Sequence, residues 1–456
     1  MTTSVDVLAR RLREALGERA TTDPDRMGTY IRDQSLLTEA GVPAALVKAT
    51  SAVDVVATMK IAHELSVPVV TRGAGTGLAG AANAIDGCIV LGVAGMNRIL
   101  AIDAAARTAT VEPGVINGDL ADAARAQGLW YVPDPGSRAI STIGGNLATN
   151  AGGICCAKYG VTGDHVAELT AVLADGRVIR TGAKTRKNVA GLDLTHLLVG
   201  SEGTLAVIVE ATMRLRTAPT AATTVVAFFA SAELAIDAVL AVAVVAEPCL
   251  MELMDDVTIA AVNRFTRMGL DESAGAMLLI QCDGRSAAEE AAECATACDG
   301  AGASEVFHTD DPEEGEAFTA ARRMALPALE AMGTVLLDDV AVPVPALPRM
   351  LDCIRTAAET HGVIIGTFGH AADGNLHPTI VFDATEAGAQ GRARRAFDDI
   401  VAGALELDGT ISGEHGIGVL KAPYMEDMVG SVERELMLSV KAAFDPKNIL
   451  NPGRGI

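Results

Sequence analysis

Residues 68–93 read P-V-V-T-R-G-A-G-T-G-L-A-G-A-A-N-A-I-D-G-C-I-V-L-G-V, and the fold turns on what this stretch is. Gly75, Gly77 and Gly80 satisfy G-x-G-x-x-G, and Asp103 stands roughly 20 residues on, where a dinucleotide fold places its ribose-binding acid. That motif requires its loop to open a crossover helix, a connection of at least ~10 residues. Here Asn83 and the turn Asp86-Gly87 intervene, and the next apolar run begins at Cys88. No such helix fits, so NAD binding through this loop is rejected. The other use of R-G-A-G-T-G-L at 72–78 is as an anion cradle. Its three glycines let successive N–H groups turn toward a diphosphate without side-chain obstruction. A plain tight turn is the alternative on this segment alone.

Outward from the loop, the patterning is that of a large mixed α and β chain. Upstream, 45–47 reads as a strand, Ser51 as the cap of a helix carrying Val53, Val56, Ile61 and Leu65, and 68–70 as the next strand. Val5, Leu8, Leu12 and Leu16, followed by Gly17, predict an amphipathic N-terminal helix rather than a secretory signal. Downstream, short strands are expected at 88–93, 99–103 and 108–112, and Asp175-Gly176 reads as a hairpin turn. The run T-A-P-T-A-A-T-T at 217–224 looks like a domain boundary, after which strand-like and helix-like runs alternate to about residue 405. The most apolar stretch, 225–246, is interrupted by Glu233 and Asp237, which favours a buried strand plus an Ala-rich helix over a membrane span.

Composition narrows the function. A chain of 456 residues calls for two or three structural units, and its net charge of −22 repels nucleic acid and anionic lipid. The eight cysteines form no C-x-x-C pair and read as reduced core thiols of a cytoplasmic protein, with no iron–sulfur cluster. Residues 73–163 hold 17 of the 46 glycines, which points to backbone approaching a large ligand in that region.

Four further motifs follow the loop in order: P-D-P-G-S at 133–137, I-G-G-N-L at 143–147, N-A-G-G at 150–153 and G-S-E-G-T-L at 200–205. This series resembles the FAD domain of the vanillyl-alcohol-oxidase superfamily, and within it the glycolate oxidase flavin subunits and FAD-dependent D-lactate dehydrogenases. The resemblance implies an α+β fold, with a PCMH-type two-subdomain FAD-binding domain at 1–216 and a mixed α/β cap of the FAD-linked oxidase C-terminal type at 217–409. A C-terminal segment, 410–456, would complete the active site and pack back on the FAD domain. FAD contacts then fall on Arg72, Gly73, Ala74, Gly75, Thr76, Gly77, Leu78, Pro133, Asp134, Pro135, Ser137, Thr142, Gly144, Gly145, Asn150, Gly152, Gly153, Glu202, Gly203 and Asn451. Many relatives attach flavin through a His in the first loop; Thr76 stands in a loop without one, so the FAD is expected to be non-covalent.

The sharpest local signal is F-G-H-A-A-D-G-N-L-H-P at 368–378. Asp373-Gly374 is a strong two-residue hairpin turn, which sets Ala372 against Asn375 and His370 directly against His377. Opposed residues share a face with Cβ atoms about 4.5–5.5 Å apart, so the two imidazoles can ligate one ion or simply stack. Glu414, in I-S-G-E-H-G-I-G at 411–418, is a candidate third ligand, and two His with one carboxylate suit Zn²⁺, Mn²⁺ or Fe²⁺. The related 2-hydroxy-acid dehydrogenases carry G-H-x-x-D-G-N-x-H and G-E-H-G-I-G. The resemblance implies His370, His377 and Glu414 as metal ligands, zinc foremost, and His415 as catalytic base. Ala372 stands where glycine is common.

In F-T-A-A-R-R-M-A-L-P-A at 318–328, Arg322 matches the family's grip on the substrate carboxylate, with Arg323 beside it. The implied reaction is oxidation of a small D-2-hydroxy acid, lactate or glycolate, to the 2-keto acid by hydride transfer to flavin N5. The reduced flavin is reoxidised by an acceptor the sequence does not name: a quinone, electron-transfer flavoprotein, cytochrome or partner subunit. Homodimerisation and peripheral membrane association stay open. Rival readings are a D-2-hydroxyglutarate dehydrogenase, an alkyl-transfer synthase and a non-catalytic flavin subunit. Leu337 stands near where some hydroxyglutarate-oxidising relatives use Lys, which argues against a dicarboxylate.

Overall fold

The computed structural model describes residues 4–219 and 221–456. The chain divides into two compact units, Met1–Gly153 with Gly160–Ala218 and Glu414–Ile456, and Ile154–Tyr159 with Pro219–Gly413. The hexapeptide 154–159, which the sequence reading left inside the first domain, belongs to the second unit. There Lys158 Nζ and Tyr159 Oη both reach Asp283, at 2.7 and 2.5 Å.

In the first unit, helix Ser4–Leu16 buries Leu8, Leu12 and Leu16 at helical spacing, whereas Val5, in its first turn, stays exposed although the same spacing places it on that face. The strands Ala45–Lys48, Ile89–Gly92 and Val69–Arg72 run parallel in that spatial order. Helix Ala52–Leu65 joins the first of them to Val69–Arg72, and Ser51 Oγ caps it by accepting from Asp54 N. Residues 73–88 then cross between two parallel neighbours without any helix. This is the feature that separates the loop from a dinucleotide fingerprint. Asp103 ends a strand of a different sheet, antiparallel and five-stranded, which also contains the hairpin over Asp175-Gly176.

The second unit is built on an eight-stranded antiparallel sheet. Strand Ala222–Phe229 and helix Ala232–Val245 resolve the apolar stretch, and among the described residues no helix is long and apolar enough to cross a membrane. Strand Leu250–Asp255 pairs with Ile364–His370, which pairs with Asn375–Phe382. Met254, Phe368 and Val381 pack with Ile259, Val262, Ala325 and Leu329 from helices Asp256–Thr266 and Ala325–Glu330, so the sheet face they share is covered by these helices.

The hairpin differs from the sequence reading. His370 lies opposite Asn375 and Phe368 opposite His377, so Ala371–Gly374 form a four-residue loop and the register is shifted by two. Neighbouring strands set this register. Ala371 N donates to Met251 O, Val342 N donates to Gly374 O, and Asn375 lies opposite Ala341, so the residues expected to extend the hairpin are bound elsewhere. A shift of two conserves the face, because side chains alternate with period two. His370 and His377 therefore remain on one face as diagonal neighbours.

Candidate active site

In the first unit the five motifs converge. Gly75 has φ +78°, and a Cβ there would overlap the buried guanidinium of Arg72, which lies 6.0 Å from the Tyr30 ring centroid. Burial pulls the Arg72 pKa below its usual value. Gly73 packs on Thr142, whose Oγ1 accepts from Gly145 N at 3.2 Å, and Gly144 packs on Pro113. Gly153 sits against the Asp134 backbone, Gly203 beside Thr71, and Asn117 Nδ2 donates to Pro133 O. Gly73, Ala74, Gly75, Thr76, Gly77 and Leu78 keep exposed surface, as do Asp134 and Ser137, whereas Pro133, Pro135, Gly152 and Gly153 are buried. Arg72 Nη1, Thr71 Oγ1 and Asn451 Oδ1 are buried without a hydrogen-bond partner. A cradle without side chains, bordered by unsatisfied donors and acceptors, fits a large polyanionic cofactor such as FAD.

Three of the expected cofactor residues spend their side chains on protein. Asn150 Oδ1 accepts from Gly163 N, and Asn451 Nδ2 donates to Ala81 O and Glu202 O. Glu202 accepts from Ile417 N at 2.6 Å and Gly418 N at 2.9 Å. Its carboxylate thus clamps the glycine-rich segment that begins with Glu414 and His415, and burial pushes its pKa up to about 7. Within that segment His415 Nε2 lies 3.5 Å from Glu414 Oε1.

In the second unit the two hairpin histidines meet. Their Nε2 atoms are 3.4 Å apart, with ring centroids at 5.1 Å and planes nearly perpendicular. Two nitrogens bound at ~2.05 Å to one tetrahedral ion stand about 3.3 Å apart, so the pair fits zinc-type ligation without rearrangement. Behind them stand two carboxylates that the sequence reading missed. Glu252 Oε1 accepts from His370 Nδ1 at 2.6 Å, and Asp339 Oδ1 lies 3.7 Å from His377 Nδ1. Burial opposes the charge on Glu252, yet His370 and Arg322 hold its pKa below the usual carboxylate value. Asp339 also accepts from Asn375 Nδ2 and Ser412 Oγ, both at 2.8 Å. Gly413 fits closely over Asn375, and Glu414 follows it in the chain.

Arg322 and Arg323 separate cleanly. Arg322 is buried, with Nη2 2.7 Å from Glu252 Oε2 and its guanidinium 4.6 Å from the Phe368 ring centroid. Its Nε is buried and lacks a partner, a donor that a carboxylate could satisfy. Arg323 pairs with Glu316, which is largely exposed. Leu337 packs against the cluster that contains Phe368. A charged residue inside the apolar run M-E-L-M-D at 251–255 was the one available sequence signal for Glu252, because buried charges occur only when paired.

The FAD binding domain family matches residues 43–182, and the C-terminal domain of FAD linked oxidases matches residues 218–454. The chain is 42% identical to glycolate oxidase subunit GlcD of Bacillus subtilis (strain 168), over 87% of this chain and 85% of that protein. It is 38% identical to a D-lactate dehydrogenase of Archaeoglobus fulgidus, over 90% of each. Among solved structures, p-cresol methylhydroxylase superposes with a TM-score of 0.83 at 18% identity, covering 99% of this chain and 96% of that one. An alkyldihydroxyacetonephosphate synthase superposes at 0.75 and 20% identity, covering 98% and 85%. These two show the fold alone, the two-domain PCMH type. With one family model spanning more than half its length and relatives well above 30% identity over most of it, the chain belongs to the FAD-linked oxidases and is an FAD-dependent oxidoreductase.

Proposed function

We propose that this protein oxidises a small D-2-hydroxy acid, lactate or glycolate, to the 2-keto acid, using non-covalent FAD and a divalent metal. The observation that carries the reading is the buried pair His370–His377 with Arg322 beside it on one sheet face, in a chain whose relatives are named glycolate oxidase subunit and D-lactate dehydrogenase. Glu414 is the proposed third ligand. Its support is the resemblance of the motif and the anchoring of the preceding Ser412 to Asp339. When bound, FAD would supply a hydride acceptor, and a metal held by His370, His377 and Glu414 would supply Lewis acidity.

The chain's own groups divide the remaining work. Arg322 holds the substrate carboxylate through its planar fork, which fixes orientation as well as charge. His415 takes the hydroxyl proton. Leu337 offers no charge for a distal carboxylate, which favours a monocarboxylate over hydroxyglutarate. Zinc is the proposed ion, because the nitrogen spacing suits tetrahedral geometry. The test is steady-state oxidation of D-lactate, glycolate and D-2-hydroxyglutarate with an artificial dye as acceptor. The reading predicts highest kcat/KM for a monocarboxylate; preference for the dicarboxylate would reassign the substrate, and oxidation of none would reject the class.

A further inference from the structure

We infer that Glu252 is a positioning residue whose two carboxylate oxygens tie His370 to Arg322, so that one buried group sets both the metal-binding imidazole and the substrate-binding guanidinium. The inference rests on the ligand and carboxylate roles proposed above, and it deepens them.

Glu252 lies opposite His370 in the register of two paired strands and is 1% exposed. Taking a carboxylate out of water costs several kcal/mol even after relaxation, and an apolar residue in such a place is often as stable or more so. Stability therefore does not explain a glutamate between Met251 and Leu253. Its contacts do. An acceptor 2.6 Å from Nδ1 selects the tautomer protonated there, which leaves the lone pair on Nε2, the atom that faces His377 Nε2. The other oxygen, 2.7 Å from Nη2, holds one corner of the Arg322 fork. That guanidinium also lies over Phe368, whose ring centroid is 5.4 Å from that of His377. The five side chains close a ring of contacts, Glu252–His370–His377–Phe368–Arg322, in which Glu252 touches the ligand through a hydrogen bond and the arginine through an ion pair.

The experiment uses the full-length FAD-loaded protein. Zinc affinity is measured by competition with a chromophoric chelator, together with the ¹⁵N spectrum of labelled histidine and KM for the best 2-hydroxy acid. Glu252→Ala is expected to weaken zinc binding roughly 10–100-fold, the usual effect of losing such a partner, and to shift His370 away from the Nδ1–H tautomer. Bound FAD is expected to be unchanged. Glu252→Gln keeps an acceptor for Nδ1–H but no charge for Arg322. It should retain zinc affinity within a few-fold and raise KM about tenfold, as expected for one charge-assisted bond. This second variant decides the matter if the alanine protein is insoluble. Zinc affinity and KM at wild-type values in both variants would overturn the inference, as would Glu252→Gln losing zinc entirely. His377→Ala distinguishes the two levels. If it binds zinc like the wild type, the ligand set itself is wrong and the inference falls with it.

Discussion

At the level of single residues, Arg322 and Arg323 look alike in sequence but differ in their ion-pair partners, the buried Glu252 and the exposed Glu316. Arg322→Lys keeps the charge but loses the fork, and truncating one partner of a buried, hydrogen-bonded charge pair costs about 2–5 kcal/mol. We expect kcat/KM to fall about 30-fold or more, the lower end of that range, mainly through KM. Arg323→Lys, on the Glu316 side, should change little. Steady-state kinetics of the two proteins check this; exchanged phenotypes would place the carboxylate grip one residue later. For His415→Ala we expect FAD and metal to be retained and flavin reduction in a single turnover to slow by ~10²–10⁴, the contribution of a positioned base. Loss of metal would make His415 a ligand, and near-wild-type reduction would remove it from proton transfer. The two histidines and Arg322 were legible because spacing and motif name them. Glu252 and Asp339 were not, since each acquires its partner through strand pairing or chain segments distant in sequence: Glu252 meets His370 118 residues on.

The elements show where local patterning suffices and where it does not. The loop 72–78 was separable from a dinucleotide fingerprint because no room remains for a crossover helix, and residues 73–88 contain none; its use as an anion cradle is the proposed one. Gly75→Ala tests it. Its φ of +78° costs an L-residue roughly 1–2 kcal/mol, and the new Cβ would displace the Arg72 guanidinium. We expect FAD affinity to fall about tenfold, read as flavin retained through gel filtration against dilution. The histidine hairpin was readable in face but not in register, because Ala371 and Gly374 bond to Met251 and Val342, partners no hairpin rule contains. Glu202 supplies a prediction in pH. Its folded pKa, about 7, lies above the ordinary 4.5, so the folded state binds the proton more tightly. That contribution is present below pH 4.5 and is lost as pH rises through 7. Asp255, also pushed up to about 7 by burial, acts in the same direction. Denaturant unfolding at pH 5 and pH 8 should therefore show a smaller loss for Glu202→Gln than for wild type. An equal loss in both proteins would mean that Glu202 does not titrate in this window.

For the whole molecule, sequence conveyed the mixed α and β class and, through motifs in a fixed order, the FAD-linked oxidase family. It did not convey that residues 154–159 belong to the second unit, because that membership depends on Lys158 and Tyr159 finding Asp283. On the proposed function, a chain of net charge −22 would draw a small anion against its own field, which is the part proposed for the buried Arg322 and a divalent ion. If the FAD is non-covalent, acid precipitation should leave a colourless pellet and a yellow supernatant; flavin on the pellet would contradict the reading of Thr76. The central claim is that one chain joins flavin, metal and 2-hydroxy acid. It is tested most directly by mixing the purified FAD-loaded protein anaerobically with D-lactate or glycolate, before and after chelation, and following flavin absorbance. The account predicts rapid bleaching by at least one of the two acids, its loss on chelation with FAD still bound, and its return when zinc is restored. Flavin that stays oxidised with both acids, or that bleaches equally fast after chelation, would contradict it.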